Sequence, residues 1–121
     1  MAHSSAFLAL IESVRSAVRD VSVEHTRDRL QNDPALHLVD VREDSEWDVG
    51  HAAGAVHIGK GVIERDIEEM IPDKNAEIIL YCGGGFRSVL AADALQKMGY
   101  TNATSMAGGW REWKAVGAPT V

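Results

Sequence analysis

The sequence predicts an α/β domain with a mostly parallel β-sheet covered by helices on both faces. Short apolar runs alternate four or five times with segments of helical periodicity, which is the pattern of β-α units. Residues 76–82 (AEIILYC) form a continuous apolar run, as expected for a strand buried on both faces of a parallel sheet. The 121 residues are enough for one domain with its own core.

The first element is an amphipathic helix before residue 20, and its apolar side chains recur at helical spacing. We expect this helix to pack on the domain; a helix that binds a partner or a membrane surface is the alternative. We therefore divide the chain into an N-terminal helical extension, residues 1–19, and a domain, residues 20–121. The stripe consists of Phe7, Leu10, Ile11, Val14, Ala17, Val18 and Val21.

The next elements form the first half of the predicted domain. Residues 35–41 (ALHLVDV) make a short apolar strand that ends near Asp40, and the polar segment after it favours a single helical turn. The other elements are a strand near 21–23, a helix over 24–31 and a strand over 54–58.

The second half contains the clearest strand and the clearest helix. The strand over 76–82 precedes a helix over 88–99, for which Ser88 suits the N-cap and Gly99 the left-handed C-cap. A helix over 61–71 comes before this pair, and a strand over 102–106 and a helix over 108–117 follow it. On the last helix, Trp110 and Trp113 share one face, and both are expected in the core.

Composition excludes several classes of protein. The formal net charge of -6 disfavours a nucleic-acid partner, and no apolar run is long enough to span a membrane. The apolar N-terminal residues lack the basic flank of a signal peptide, and a single cysteine cannot form an intramolecular disulfide. We expect a cytoplasmic protein without a membrane partner. The histidines are scattered and no Cys-x-x-Cys occurs, so we expect neither a metal site nor a cofactor.

The only cysteine, Cys82, lies in the segment LYCGGGFRS, residues 80–88. Three glycines permit a loop whose N–H groups turn inward, and the helix that follows adds a partial positive charge. Arg87 adds a full positive charge, so the loop is suited to stabilise a thiolate at Cys82. A buried structural cysteine, a phosphate-binding loop and a Cys–His pair are weaker interpretations, since the Walker and dinucleotide patterns both fail here.

Three segments together resemble the rhodanese-like sulfurtransferase family over roughly residues 20–118. They are LVDVREDSEWDVGHAAGAVHI (38–58), YCGGGFRS (81–88) and GGWREWKAVGAP (108–119). The resemblance implies a five-stranded parallel sheet and a Cys82 nucleophile that cycles through a persulfide. It also implies a small anionic sulfur donor such as thiosulfate, and cyanide, a thiol or a protein as the thiophilic acceptor.

The resemblance further assigns roles to single residues. The loop amides would hold the persulfide, and Arg87 would help to bind the donor. Apart from the resemblance, the position of apolar Phe86 inside the loop predicts that it lines the mouth of a pocket. Gly83 stands where many members carry a basic residue. The expected substrate-binding residues are Gly83, Gly84, Gly85, Phe86, Arg87 and Ser88, and the expected structural residues near the site are Asp40, Arg42 and His51.

Two other functions stay open at this stage. One is a sulfur carrier or binding module that a partner protein loads. The other is a phosphatase of the related Cdc25 type, whose loop contains one residue more than the six from Cys82 to Arg87. The shorter loop favours sulfur, because a phosphoryl group with three oxygens needs more room.

Overall fold

Five strands form one sheet in the computed structural model, which describes residues 3–121. The strands are β1 (Asp20–Val21), β2 (His37–Asp40), β3 (Ala55–His57), β4 (Ile78–Tyr81) and β5 (Ala103–Met106). Their order across the sheet is β1-β5-β4-β2-β3, and every neighbouring pair is parallel. The predicted α/β class and the five-stranded parallel sheet are therefore confirmed, with β4 at the centre.

Within residues 3–121, six helices connect and cover these strands. They are α1 (Ser5–Arg15), α2 (Val23–Asn32), α3 (Asp44–Val49), α4 (Ile63–Met70), α5 (Arg87–Lys97) and α6 (Gly109–Ala115). The predicted helices after the first occur with ends shifted by one or two residues. Gly99 has φ +102°, and the Gly99 and Tyr100 N–H groups bond back to α5, so the predicted left-handed C-cap of this helix is confirmed.

Side chains of β4 alternate between two hydrophobic clusters, one on each face of the sheet. Ile78, Leu80 and then Cys82 point to the face covered by α1, α4 and α5. Ile79 and Tyr81 point to the face covered by α2 and α6. This alternation follows from the two-residue period of a strand, and it places the Cys82 side chain on the α5 side of the sheet.

Helix α1 packs against α5, which confirms that it belongs to the folded core. Ile11 is buried, and Phe7 and Val14 are half-buried. Leu10 is 51% exposed, so the apolar stripe that makes contact is narrower than the periodicity predicts. The helix also ends at Arg15, earlier than the pattern indicates. Among residues 3–121, no helix has the length and apolar character required to cross a membrane.

Candidate active site

Cys82 directly follows the central strand β4, at the carboxyl edge of the sheet. Ligand sites of open parallel sheets lie outside this edge, where loops from neighbouring strands meet. The cysteine is free and only 1% exposed, because its side chain points into the cluster below α5. The position therefore combines a buried sulfur with a loop that faces solvent.

The sulfur atom receives a backbone hydrogen bond from its own loop. The Gly85 N–H donates to Cys82 Sγ over 3.2 Å, and Ser88 Oγ lies 3.5 Å from the same sulfur. Gly85 has φ +96°, a conformation that favours glycine, and a Cβ there would lie 3.2 Å from the Gly108 nitrogen. The glycine thus permits the tight turn that brings an amide back to the sulfur.

Helix α6 holds the carbonyl side of the same loop. The Trp110 N–H donates to the Cys82 carbonyl over 2.8 Å, and the Arg111 N–H donates to the Gly83 carbonyl over 3.0 Å. Gly109 permits this approach, because a Cβ there would collide with the Cys82 carbonyl and lie 3.0 Å from the Gly83 oxygen. With these carbonyls engaged by α6, the loop is oriented to offer amide hydrogens to its concave side.

Arg87 forms a two-point ion pair with Glu46 of α3. Its Nη1 and Nη2 atoms donate to the two carboxylate oxygens over 2.7 and 3.0 Å. The guanidinium lies over Gly83, where a Cβ would be 3.2 Å from Nη2. Sequence reasoning missed Glu46, whose only local signal is a capping box with Glu43 at the start of α3.

The Arg87 hydrogen bonds lower the pKa of Glu46 from 4.5 to about 2. Because the folded-state pKa lies below the unfolded one, the pair stabilises the fold fully above pH 4.5 and loses this contribution as pH falls toward 2. Both side chains are about one-third exposed, so solvent weakens this contribution. The charge of Glu46 is therefore constant across neutral pH, and it neutralises Arg87 there.

Ser88 does not cap α5, so that prediction is wrong. The helix begins at Arg87 with Phe86 in the N-cap position, and no side chain caps it. Ser88 is fully buried, and its hydroxyl lies 2.8 Å from the hydroxyl of Ser105 on β5. The side chain points inward because its hydroxyl lies between two buried partners, the Ser105 hydroxyl and the Cys82 sulfur, which is 3.5 Å away.

Ser88→Ala is expected to destabilise the fold by about 1 to 3 kcal/mol, because the buried Ser105 hydroxyl loses its partner. Ser105→Ala should have a similar cost for the reciprocal reason. The double variant should cost clearly less than the sum of the two single variants, since no unpaired hydroxyl is left. Urea unfolding of all four proteins measures this coupling, and strictly additive costs would contradict it.

Asp40, Arg42 and His51 lie outside the Cys82 cavity. The Arg42 guanidinium bonds the Asp40 carboxylate over 2.8 Å and the Gly50 carbonyl over 2.7 Å. His51 stacks on Trp47 with ring centroids 3.4 Å apart. These contacts tie the α3 segment to the end of β2, which is an arrangement that supports the loops around the site.

The two tryptophans of α6 have different environments. Trp113 is 1% exposed and belongs to the core, as predicted. Trp110 is only half-buried, and the Arg42 and Lys114 cations lie 4.9 and 5.3 Å from its ring centroid. Trp110 also packs against the cluster that contains Trp113, so the prediction that both are core residues is confirmed for Trp113 and holds only in part for Trp110, whose ring also contacts two cations.

A cavity of about 480 Å³ opens above Cys82. Phe86 is at its wall, and so is Arg111, which the sequence did not single out. The N-terminal end of α1 also reaches this cavity, which no pattern in the sequence predicts. The full lining is His3, Ser4, Phe7, Glu46, Cys82, Gly83, Gly84, Phe86, Arg87 and Arg111.

Other hollows of about 490 to 590 Å³ lie elsewhere on the described part of the chain, and Cys82 lines none of them. Within residues 3–121, no three His, Cys, Asp or Glu side chains are grouped to hold a metal ion. The Cys82 cavity therefore brings together what covalent chemistry requires: a sulfur nucleophile, amide donors and cationic side chains.

Comparison with known proteins gives a consistent result. A family model described as "Rhodanese-like domain" matches residues 22–116. YtwF of Bacillus subtilis, provisionally named a sulfurtransferase, is 30% identical over 102 residues, which cover 84% of this chain and 96% of YtwF. YrkF of the same organism, provisionally named a sulfur carrier protein, is 33% identical over 98 residues, which cover 81% of this chain and 52% of YrkF. This chain therefore spans about half the length of YrkF.

A solved structure agrees with these matches. The human single-domain sulfurtransferase TSTD1 superimposes with a TM-score of 0.71 at 26% identity. The match covers 81% of this chain and 96% of the human one. The sequence and the fold thus point to the same relatives.

Proposed function

Because this chain belongs to the rhodanese-like domain family, we propose that it is a sulfurtransferase in which Cys82 carries sulfane sulfur as a persulfide. The donor in this proposal is thiosulfate or a similar small anion, and the acceptor is cyanide, a thiol or a protein. Such chemistry needs a reduced thiol, which fits the expectation of a cytoplasmic protein.

The proposed reaction has two displacement steps. The Cys82 thiolate attacks the outer sulfur of thiosulfate, a new S–S bond forms, and sulfite leaves with the electron pair of the broken bond. Cyanide then attacks the outer sulfur of the persulfide, thiocyanate leaves, and the Cys82 thiolate is regenerated. Each step conserves charge and needs no external oxidant or reductant.

The contact between Cys82 and its own loop carries the proposal. The Gly85 N–H already donates to Sγ over 3.2 Å, which favours negative charge on the sulfur. The Cys82 and Gly83 carbonyls are engaged by α6, so they do not oppose that charge from inside the loop. A six-residue loop held in this way suits a single sulfur atom.

The test is intact-mass measurement of the protein after incubation with thiosulfate. We expect a gain of one sulfur atom, which cyanide removes with release of thiocyanate. An aryl phosphate should show no turnover. Phosphatase activity without any thiosulfate-dependent gain in mass would overturn the proposed reaction.

A sulfur carrier loaded by a partner protein is the second candidate, and the identity with YrkF favours it. In that case Cys82 would alkylate readily but take no sulfur from thiosulfate. A cysteine persulfide on a donor protein would then be needed to load it. The mass experiment with both kinds of donor separates the two candidates.

Within the proposed function, Arg111 is better placed than Arg87 to attract an anionic donor. Glu46 neutralises Arg87 at neutral pH. Arg111 also lines the cavity, and among the described residues it has no carboxylate within ion-pair distance. An unneutralised cation beside the entrance raises the local concentration of anions.

Arg111→Gln is therefore expected to lower kcat/KM for thiosulfate by roughly 5- to 10-fold, mainly through a higher KM. The effect is moderate because an exposed cation contributes less binding free energy than a buried one. The same variant should slow alkylation of Cys82 by iodoacetate, an anion, more than alkylation by neutral iodoacetamide. Both effects should shrink at high ionic strength. The rate ratio of the two reagents checks the charge effect without any sulfur transfer.

Two further variants frame this result. Lys60→Gln removes a positive charge outside the cavity lining and should leave the reagent ratio unchanged. Glu46→Gln removes the carboxylate that neutralises Arg87, and it should raise the rate with iodoacetate relative to iodoacetamide. If Lys60→Gln and Arg111→Gln change the ratio equally, net charge and not the position of Arg111 is responsible.

A further inference from the structure

The N-terminal end of α1 forms one wall of the cavity that contains the nucleophile. His3, Ser4 and Phe7 line it together with the Cys82 loop. The family model matches residues 22–116 and does not cover α1.

Aromatic rings connect α1 directly to the active-site loop. The centroid of Phe86 lies 4.6 Å from that of His3 and 6.3 Å from that of Phe7, and the rings are tilted at 54° and 50°. His3 and Phe7 are 5.1 Å apart. All three distances are in the range in which tilted aromatic pairs attract each other. The three rings are called the aromatic wall below.

The aromatic wall has a fixed support. Ser4 caps α1, since its hydroxyl accepts the Phe7 N–H over 3.1 Å. One turn further along α1, Ile11 is 1% exposed and is buried in the cluster that also contains Cys82. Phe7 is therefore held at the cavity by a capped helix whose next turn is anchored in the core.

The cavity is much larger than a small inorganic anion. Its volume is about 480 Å³, within the range of pockets for organic ligands. Thiosulfate fills on the order of 100 Å³, a few times the ~30 Å³ share of one water molecule. The rest of the space is bounded on one side by apolar rings and on another by Arg111.

We propose that the aromatic wall determines specificity, so that Cys82 takes sulfur from organic donors whose leaving group carries an apolar substituent. Phe7 and Phe86 pack against that substituent while the outer sulfur of the donor meets Sγ. The substrate named in this inference rests on the proposed sulfur transfer. The contact between the aromatic wall and an apolar group does not depend on that function. For an organic thiosulfonate, the Cys82 thiolate takes the outer sulfur as a persulfide, the S–S bond breaks, and the organic sulfinate leaves with its electron pair.

The decisive measurement is the rate at which Cys82 is alkylated by two neutral reagents, iodoacetamide and N-benzyl iodoacetamide. The reacting carbon is the same in both, and only the second carries an apolar ring. The wild-type protein should prefer the benzyl reagent. Phe7→Ala should reduce this preference by ~3- to 10-fold, the factor that corresponds to the loss of one aromatic contact. Phe7→Leu, which keeps an apolar side chain and the helix, should give an intermediate preference.

Leu10→Ala is the matched control, because Leu10 is an apolar residue of the same helix that is exposed and does not line the cavity. It should keep the wild-type preference. Thermal unfolding of each variant identifies any that has lost its fold, and Phe7→Leu provides the comparison if Phe7→Ala has. An unchanged preference in the folded Phe7 variants, or an equal loss in Leu10→Ala, would overturn the inference.

The same proteins are then incubated with methanethiosulfonate and benzenethiosulfonate, and sulfur uptake is read by mass. Faster sulfur uptake from the benzene compound in the wild type supports the inference for sulfur transfer itself, if this preference is lost in Phe7→Ala and reduced in Phe7→Leu. The wild type could take sulfur from neither compound nor from thiosulfate and still prefer the benzyl reagent in alkylation. That result would overturn the proposed sulfur transfer from small molecules, but it would support the inference that the aromatic wall binds an apolar group.

Discussion

Cys82→Ser is expected to abolish sulfur uptake while it leaves the fold nearly unchanged. Serine cannot hold a persulfide, and its hydroxyl does not ionise at neutral pH, so no residual route remains. The shorter Ser hydroxyl can still accept the Gly85 N–H and meet Ser88 Oγ, which keeps the buried site paired. We therefore expect a loss of stability of about 1 kcal/mol or less.

Two measurements check this prediction. Intact mass after incubation with thiosulfate should show no added sulfur, and urea unfolding should show a midpoint close to that of the wild type. Cys82 is the only cysteine, so iodoacetamide should also fail to modify the variant. Sulfur uptake at a rate near that of the wild type would show that another group carries the sulfur.

Gly109→Ala is expected to have the second-largest effect, because it separates α6 from the active-site loop. A methyl group at this position collides with the Cys82 carbonyl and lies 3.0 Å from the Gly83 oxygen. Gly109 also has φ +54°, a conformation that costs alanine about 1 kcal/mol or more. The backbone must move, and the bonds from Trp110 and Arg111 to the loop carbonyls are then lost.

We expect this variant to lose roughly 3 kcal/mol or more in free energy of unfolding and at least ~10-fold in the rate of sulfur uptake. The effect is large because the added methyl group meets backbone atoms, which cannot move aside as a flexible side chain can. Gly117→Ala is the matched control. Gly117 has φ +72°, but no atom lies within 4 Å of the added Cβ, so this variant shows the cost of the backbone conformation alone. Equal effects of the two substitutions would mean that the contact with the loop is unimportant.

Much of the candidate site could be predicted from the sequence because its signals are local. The apolar run before Cys82 and the glycines after it are adjacent in the chain, so consecutive residues predict a strand followed by a tight loop. Ser88 shows the limit of such reasoning. Serine is frequent at N-caps, but here a hydroxyl partner on β5 and the nearby sulfur draw it inward.

Charge at the site was harder to predict, since it depends on a pair of residues far apart in the chain. Arg87 alone indicates a cation beside the thiol. Its partner Glu46 is separated from it by 41 positions. From the sequence alone, Glu46 is recognisable only as part of the capping box at the start of α3. No local pattern distinguishes a neutralised arginine from an unpaired one.

The sequence by itself determined the fold class, the central strand and the loop that holds the only cysteine. The periodicity of apolar residues and the positions of glycines determine local backbone conformation over a few residues, whatever the tertiary surroundings. The tertiary structure alone decided which groups surround the sulfur. The sheet order β1-β5-β4-β2-β3 places β4 between β5 and β2, and the segments that follow these strands meet the Cys82 loop. Glu46 then pairs with Arg87, α6 binds the loop carbonyls, and Phe7 reaches the cavity, because long-range packing brings these distant segments together.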